Sequence, residues 1–256
     1  MSQASYTPIQ KQKFTWSLPK IIVLTLAMVF TSFLVERSIN SHLFRVHEIA
    51  LNGQRHISSL ALRHLTDIRY QEHLLMINTT EAEYKLKQHP WIKTAKVTRS
   101  FPSAINIEVE EYQPVLVLAL EQLWYVDKDG DIFRRADSDN LDYPILTGLP
   151  SSWSDQHPEL LVKAIQDSLN IYQACKVPLI GSVESISEIN FHPNTGFRVI
   201  LRNGTILSLG FFDPNDRIER LRKMVAKGLD ISIPQQIELD ADKVAIAKPL
   251  TKLLKE

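Results

Sequence analysis

Cysteine is almost missing from this chain. Cys175 stands alone among 256 residues, which excludes an intrachain disulfide framework. It is expected on a helix face as a small apolar residue rather than as a reactive thiol. Net charge is missing as well. The 29 basic and 29 acidic residues balance to +0, which argues against a nucleic-acid protein held by bulk electrostatics. There is no internal repeat and no low-complexity tract. The grammar of catalysis is absent too: no GxSxG, no Walker A, no GxGxxG, and no HExxH or short metal spacing among the eight histidines. Asp127, Asp129 and Asp131 invite a calcium reading. An EF-hand loop wants Gly sixth and Glu twelfth; here Gly130 comes fourth and Ser138 stands twelfth, so a hairpin turn explains the residues better. Glu108, Glu110 and Glu111 read as an acidic, solvated strand end. Neither a membrane-anchored hydrolase nor a cofactor enzyme is indicated, and no small-molecule substrate or cofactor is expected.

What is present is one long apolar run, "IIVLTLAMVFTSFLV" from Ile21 to Val35, and nothing later resembles it. With Leu18 and Pro19 it reaches the lower limit of roughly 17–20 residues for a spanning helix. We place the membrane helix at 21–36. The preceding tail, 1–20, carries Lys11, Lys13 and Lys20 and no acid, so the positive-inside rule keeps it cytoplasmic and sends the rest across. No small-x-small cleavage site follows Val35, which favours an uncleaved anchor in contact with membrane lipid over a signal peptide.

Beyond the anchor, the pattern is that of an α+β protein. Val46, Ile49 and Leu51 mark a strand stopped by Asn52-Gly53. Two helices follow. One is capped by Ser58 or Ser59, with Leu62 and Leu65 on a face. The other is capped by Thr79 or Thr80 and ended by Pro90. Then "HPWIKTAKVTRSFPSAINIEVEE" alternates on both sides of Pro102-Ser103. Ala95, Val97 and Phe101 share one strand face with Arg99 in the same register, and Ile105, Ile107 and Val109 continue it in a second strand. Trp91 is expected to pack where helix meets sheet. Strand–helix–helix–strand–strand makes a minimal two-layer core. From Pro114 a mostly antiparallel β domain with two helices is expected. It includes a hairpin turning at Lys128-Asp129-Gly130 and a short strand at "DYPILTGLP". An amphipathic helix carries Leu161, Ile165, Leu169 and Tyr172 behind Pro158. A second hairpin turns at Asn203-Gly204, read as type I′. A second helix has Asp213 as N-cap, Pro214 at N1 and Gly228 as stop. "QIELDADKVAIAK" closes the domain with one or two short strands, and 251–256 is a short tail.

These segments resemble the FtsQ/DivIB cell-division family. "IALNG" with "HIS" is similar to the first strand and turn of its POTRA module. "MINT" is similar to the entry to its second helix. "LKQHPWIKTAKVTRSFPSAINIEVEEYQPV" looks like its most specific block. "LWYVDKDGDIF" and "YPILTGL" match the next segments. "ILSLG", "RIERL" and "QIELDADKVAIA" match the C-terminal domain more loosely, and Leu239-Asp240-Ala241 departs from the family's Leu-Arg-Tyr run. The resemblance implies a POTRA module over 43–112, with Gly53, Pro90, Trp91, Arg99 and Pro102 as structural residues, and a β domain over 113–250. It implies a non-enzymatic scaffold in the bacterial inner membrane, at the division septum. Its partners would be of the FtsB/FtsL type, with further division proteins meeting the POTRA module. An outer-membrane assembly or secretion accessory is the alternative. "KVAIAK", Lys243, Val244, Ala245, Ile246, Ala247 and Lys248, is expected to form an edge strand open to a partner strand, its lysines discouraging random pairing. In the bland alternative Val244 and Ile246 cap the core. The helix face at Arg217 and Arg220 is the second candidate surface.

Overall fold

A computed structural model describes residues 18–39, 42–136, 142–175, 186–211, 213–240 and 245–249. It opens with helix α1, Leu18–Ile39. Leu18–Arg37 is long and apolar enough to cross a membrane.

The chain divides into two compact units. The first takes residues up to 52, 59–85 and 96–108; the second takes 53–58, 86–95 and 109–256. Strand β1, Glu48–Asn52, pairs in parallel with β3, Ala104–Glu111, from Glu48 opposite Ala104 to Asn52 opposite Glu108. Strand β2, Ile92–Ser100, lies on the other side of β3. Helices α2, Ser59–Thr66, and α3, Thr79–Lys87, fall between β1 and β2 in the chain. A parallel pair needs such a crossover, because a tight turn joins only antiparallel neighbours. Ile105, Ile107 and Val109 are buried on one parity of β3, with Ala95 and Val97 buried on β2 and Leu62 and Leu86 from the helices.

Several local details differ from the sequence expectation. Asn78, not Thr79 or Thr80, caps α3: its Oδ1 accepts the Glu81 N–H at 3.2 Å. That helix ends at Lys87, ahead of Pro90, as expected when the residue before a proline is driven out of the α region. Phe101 does not share the buried face of β2 and is 62% exposed, because the strand ends at Ser100 and the chain is already turning.

The second unit is built on a nine-stranded sheet in the order β12-β11-β10-β9-β8-β7-β4-β5-β6. Its strands are β4, Pro114–Ala119, β5, Leu123–Asp127, β6, Ile132–Arg135, β7, Ile145–Thr147, β8, Ile186–His192, β9, Gly196–Leu201, β10, Ile206–Gly210, β11, Gln235–Glu238, and β12, Ile246–Pro249. Antiparallel pairs predominate. The parallel ones are β4–β7, β7–β8 and β10–β11. Helix α5, Pro158–Cys175, lies in the β7–β8 crossover and α6, Pro214–Ala226, in the β10–β11 crossover; the short α4, Trp153–Gln156, precedes α5. Leu161, Ile165, Leu169 and Tyr172 of α5 join Leu116, Val199, Leu207 and Ile237 of the sheet in one core, to which α6 adds Ile218 and Leu221. Cys175 is buried on α5, and burial pushes its thiol up to about 12. Asp213 caps α6 by accepting the Asn215 N–H at 2.9 Å.

The β9–β10 turn is not type I′. Gly204 N–H donates to Leu201 O at 2.9 Å, which makes Arg202 and Asn203 the central pair, and of Asn203 and Gly204 only the glycine has positive φ, +87°. That is a type I turn followed by a left-handed glycine, the other common hairpin solution.

Candidate partner-binding edge

Strand β12 is the last in the sheet. It pairs antiparallel with β11, from Gln235 opposite Pro249 to Glu238 opposite Ile246. Among the described residues no strand lies on its other side. Lys243 and Val244 lie outside the described residues. Ala245 and Ala247 pack against the core, whereas Ile246 is 46% exposed and Lys248 is exposed. The core-facing parity is therefore that of the alanines. Ile246 does not cap the core; it offers an apolar side chain to solvent beside an open row of backbone groups.

Arg217 was a candidate contact on α6, but it is 1% exposed. Its position shares the inward face with Ile218 and Leu221, so it presents no charge to a partner. Arg220 is partly exposed, and its Nη2 holds Asp216 Oδ2 at 2.7 Å, one turn back. Such a pair leaves the face locally neutral.

A second group of residues in the same unit surrounds Trp91. The indole is half-buried, not sealed between helix and hairpin. His56 stacks on it with centroids 4.7 Å apart and planes 15° apart. Phe133 and Tyr125 approach at 5.5 and 5.9 Å, and the Arg134 guanidinium lies over the ring at 5.3 Å. Trp91 thus packs on the β5–β6 hairpin. Beneath His56, the Glu111 carboxylate accepts the N–H groups of Arg55, His56 and Ile57 at 2.9, 2.8 and 3.1 Å, and His56 Nδ1 lies 3.0 Å away. Burial alone would push that carboxyl up, but the three backbone donors and His56 outweigh it and hold it below its ordinary value. Glu111, expected on a solvated strand end, is 5% exposed.

Lys93 supplies the third fixed group. Its ammonium bonds the carboxylates of Asp127 and Asp129 and lies 3.2 Å from Asp131. Burial opposes the charge, yet the three aspartates raise the lysine well above its usual range. Asp127 also accepts the N–H groups of Asp129 and Asp131 at 2.9 and 3.0 Å. The aspartates suspected of calcium binding are therefore organised around a lysine from β2.

The other residues singled out in the first module serve the backbone. Gly53 has φ +90°, and a Cβ there would stand 1.9 Å from Val109 O. Arg99 donates through Nε to Leu74 O at 3.0 Å and through Nη2 to Ile77 O, pinning the segment that leads into α3. Pro90 and Pro102 are exposed at chain reversals.

The comparisons with known proteins agree with this arrangement. Residues 44–112 match the POTRA domain, FtsQ-type, and residues 117–243 match the cell division protein FtsQ/DivIB C-terminal domain. The chain is 30% identical over 188 residues to "Cell division protein FtsQ" of Anaeromyxobacter sp. (strain K), covering 73% of this chain and 64% of that protein. It therefore spans just under two thirds of that relative's length. It is 27% identical over 203 residues to "Cell division protein FtsQ" of Myxococcus fulvus, covering 77% and 71%. With "Cell division protein DivIB" of Bacillus subtilis it shares 21% over 224 residues, covering 85% and 79%. Both modules match in the family's order across most of the chain, and the chain belongs to the FtsQ/DivIB family of cell-division proteins.

Proposed function

We propose that this protein is a non-enzymatic scaffold of the divisome, anchored in the inner membrane by α1 with its bulk in the periplasm. On this reading it captures an FtsB/FtsL-type partner on β12, while its POTRA module meets other division proteins. The observation that carries the docking site is the open edge of β12, where a partner strand gains main-chain hydrogen bonds. The exposed Ile246 side chain, next to Lys248, adds a register signal.

The pairing register sharpens the test. Residues of an antiparallel strand alternate between bonding the neighbour and facing away. Pro249 has no N–H to give β11, which suits the outward set of an edge strand. Ala247 and Ala245 share its parity, so their N–H groups face the free edge, and those of Ile246 and Lys248 face β11. Ala245→Pro or Ala247→Pro in the full chain should therefore abolish capture of an FtsB-type partner while the circular dichroism spectrum stays unchanged. Ile246→Pro should instead loosen β12 itself. Parent-like capture by both folded alanine-site variants would place docking elsewhere, with the exposed part of α6 the next surface to test.

A further inference from the structure

The first unit carries an apolar patch that its own core does not use. Leu43 is 67% exposed, Met76 75%, Leu75 50% and Phe101 62%. Scattered exposed hydrophobics need no explanation. These four are gathered by the backbone. Leu74 N–H donates to Phe44 O at 2.7 Å, and Met76 N–H to His73 O at 2.9 Å. Arg45 bridges to His73. The Phe44 ring lies 6.4 Å from His73 and 6.5 Å, edge-on, from Phe101. The turn His42–Phe44, the segment 73–76 and the tip of the β2–β3 hairpin thus meet at one end of the module.

That end is also where the chain leaves the membrane helix. Leu18–Arg37 is long and apolar enough to span, and at about 1.5 Å per residue its 20 residues reach about 30 Å, enough for the hydrocarbon layer with the charged ends at its borders. Residues 38–41 alone separate it from His42. Two helical steps and three extended ones reach at most about 14 Å, and the headgroup layer is itself about 5–7 Å deep. The patch cannot move far from the bilayer surface. Tethering of this kind gives even a weakly apolar face a high effective concentration of lipid.

We infer that Leu43, Leu75, Met76 and Phe101 form a lipid-binding face that dips into the headgroup layer of the bilayer crossed by α1. The inference rests on the anchored topology proposed above. The side chains suit the role. Leu and Met adapt to disordered acyl chains, and an aromatic ring favours the interface. Arg45 and Arg99 flank the face, fixed by bonds to Gln71 O and Leu74 O at 2.8 and 3.0 Å, which favours anionic headgroups. A docked face would also fix the height and tilt of the POTRA module above the membrane, which a four-residue tether alone leaves free.

The test uses the full chain in vesicles of phosphatidylethanolamine and phosphatidylglycerol. An environment-sensitive fluorophore is placed on Ser100→Cys, beside Phe101, or, as a control in the same unit, on Glu108→Cys, an exposed site at the end of β3 opposite Asn52 and away from the hairpin tip. Cys175 is 2% exposed and escapes labelling. Doxyl-labelled lipid should quench emission from position 100 roughly by half, as for a group at the acyl boundary, and leave position 108 largely unquenched. The pair Leu43→Glu and Met76→Glu, both at exposed sites, should abolish the quenching while the protein still floats with the vesicles. Unquenched parent protein that floats overturns the inference and leaves the anchor standing, as does equal quenching of the glutamate variant. A change at position 100 that requires added division proteins assigns the face to a protein partner and also overturns it. A chain that does not float removes the anchor, and the inference falls with it.

Discussion

Glu111 shows how one residue's phase on a strand decides its chemistry. It has the same parity on β3 as Ile105, Ile107 and Val109, all buried. Alternation therefore sends its carboxylate inward with them, and a buried carboxylate must be hydrogen-bonded. Three successive N–H groups of the loop after Gly53 meet that need. Gly53 lets the loop approach, since any Cβ would collide with Val109 O. Glu111→Ala should destabilise the protein by about 2–4 kcal/mol, mainly through the Ile57 N–H left buried without a partner. The pH dependence has a definite sign. The folded carboxyl is held below its ordinary 4.5. Its contribution is complete above that value and is lost as pH falls through the lower folded value. Thermal melts of parent and Glu111→Gln should draw together as pH falls below the ordinary carboxylate range. Curves that stay parallel would mean the carboxylate's charge contributes nothing.

At the scale of elements, Trp91 joins the end of α3 and the start of β2 to the β5–β6 hairpin through His56, Phe133 and Arg134. A buried Trp→Ala change costs about 3–5 kcal/mol. Because this ring is only half-buried, Trp91→Ala should cost about 2–3, most of it from the lost ring pairs. Trp91→Phe should recover part of the loss, and an unchanged melting temperature in the alanine variant would remove the ring from the packing. The elements most legible in the sequence were those with one wet face. The alternation of β2 and β3 and the four-and-three spacing in α5 follow directly from half-burial. Strand β4 leaves no alternation in the sequence, since it is buried at Leu116, Val117 and Leu118 in succession and has no period to read. Strand β8 is obscured by a bulge. Glu188-Ile189-Asn190-Phe191 alternates, with Glu188 and Asn190 bonded to Thr147 of β7, but a register shift between Ile186 and Glu188 cuts the run short. The same limit applies to the candidate site. "VAIA" is apolar on both parities, so composition suggested an edge strand but not which side chains face out, and Arg217 shows that a charge on a helix is no guarantee of its surface face.

At the scale of the whole molecule, orientation across the membrane decides whether either proposed surface meets its partner. Lys11, Lys13 and Lys20 precede the apolar run, while Arg37 and Arg45 follow it closely. The difference in positive charge is therefore narrow. What favours the proposed orientation is length as well as charge. A long folded region translocates largely regardless of its charges, whereas a short basic tail is retained. A periplasm-dependent reporter fused after residue 60 should be active and one fused at residue 15 inactive. The mature protein should keep its N-terminus, and the opposite pattern, or a shortened N-terminus, would remove the anchor. The narrow balance yields a sharper expectation. Replacing Lys11, Lys13 and Lys20 together by glutamate leaves Arg37 and Arg45 as the dominant flanking charges. Part of the population should then invert, and reporter activity after residue 60 should fall while total protein is unchanged. Restoring Lys20 alone should recover much of the activity, because the charge nearest the apolar run has the greatest effect. Full activity in the triple variant would show that orientation is set by the folded bulk and not by the lysines.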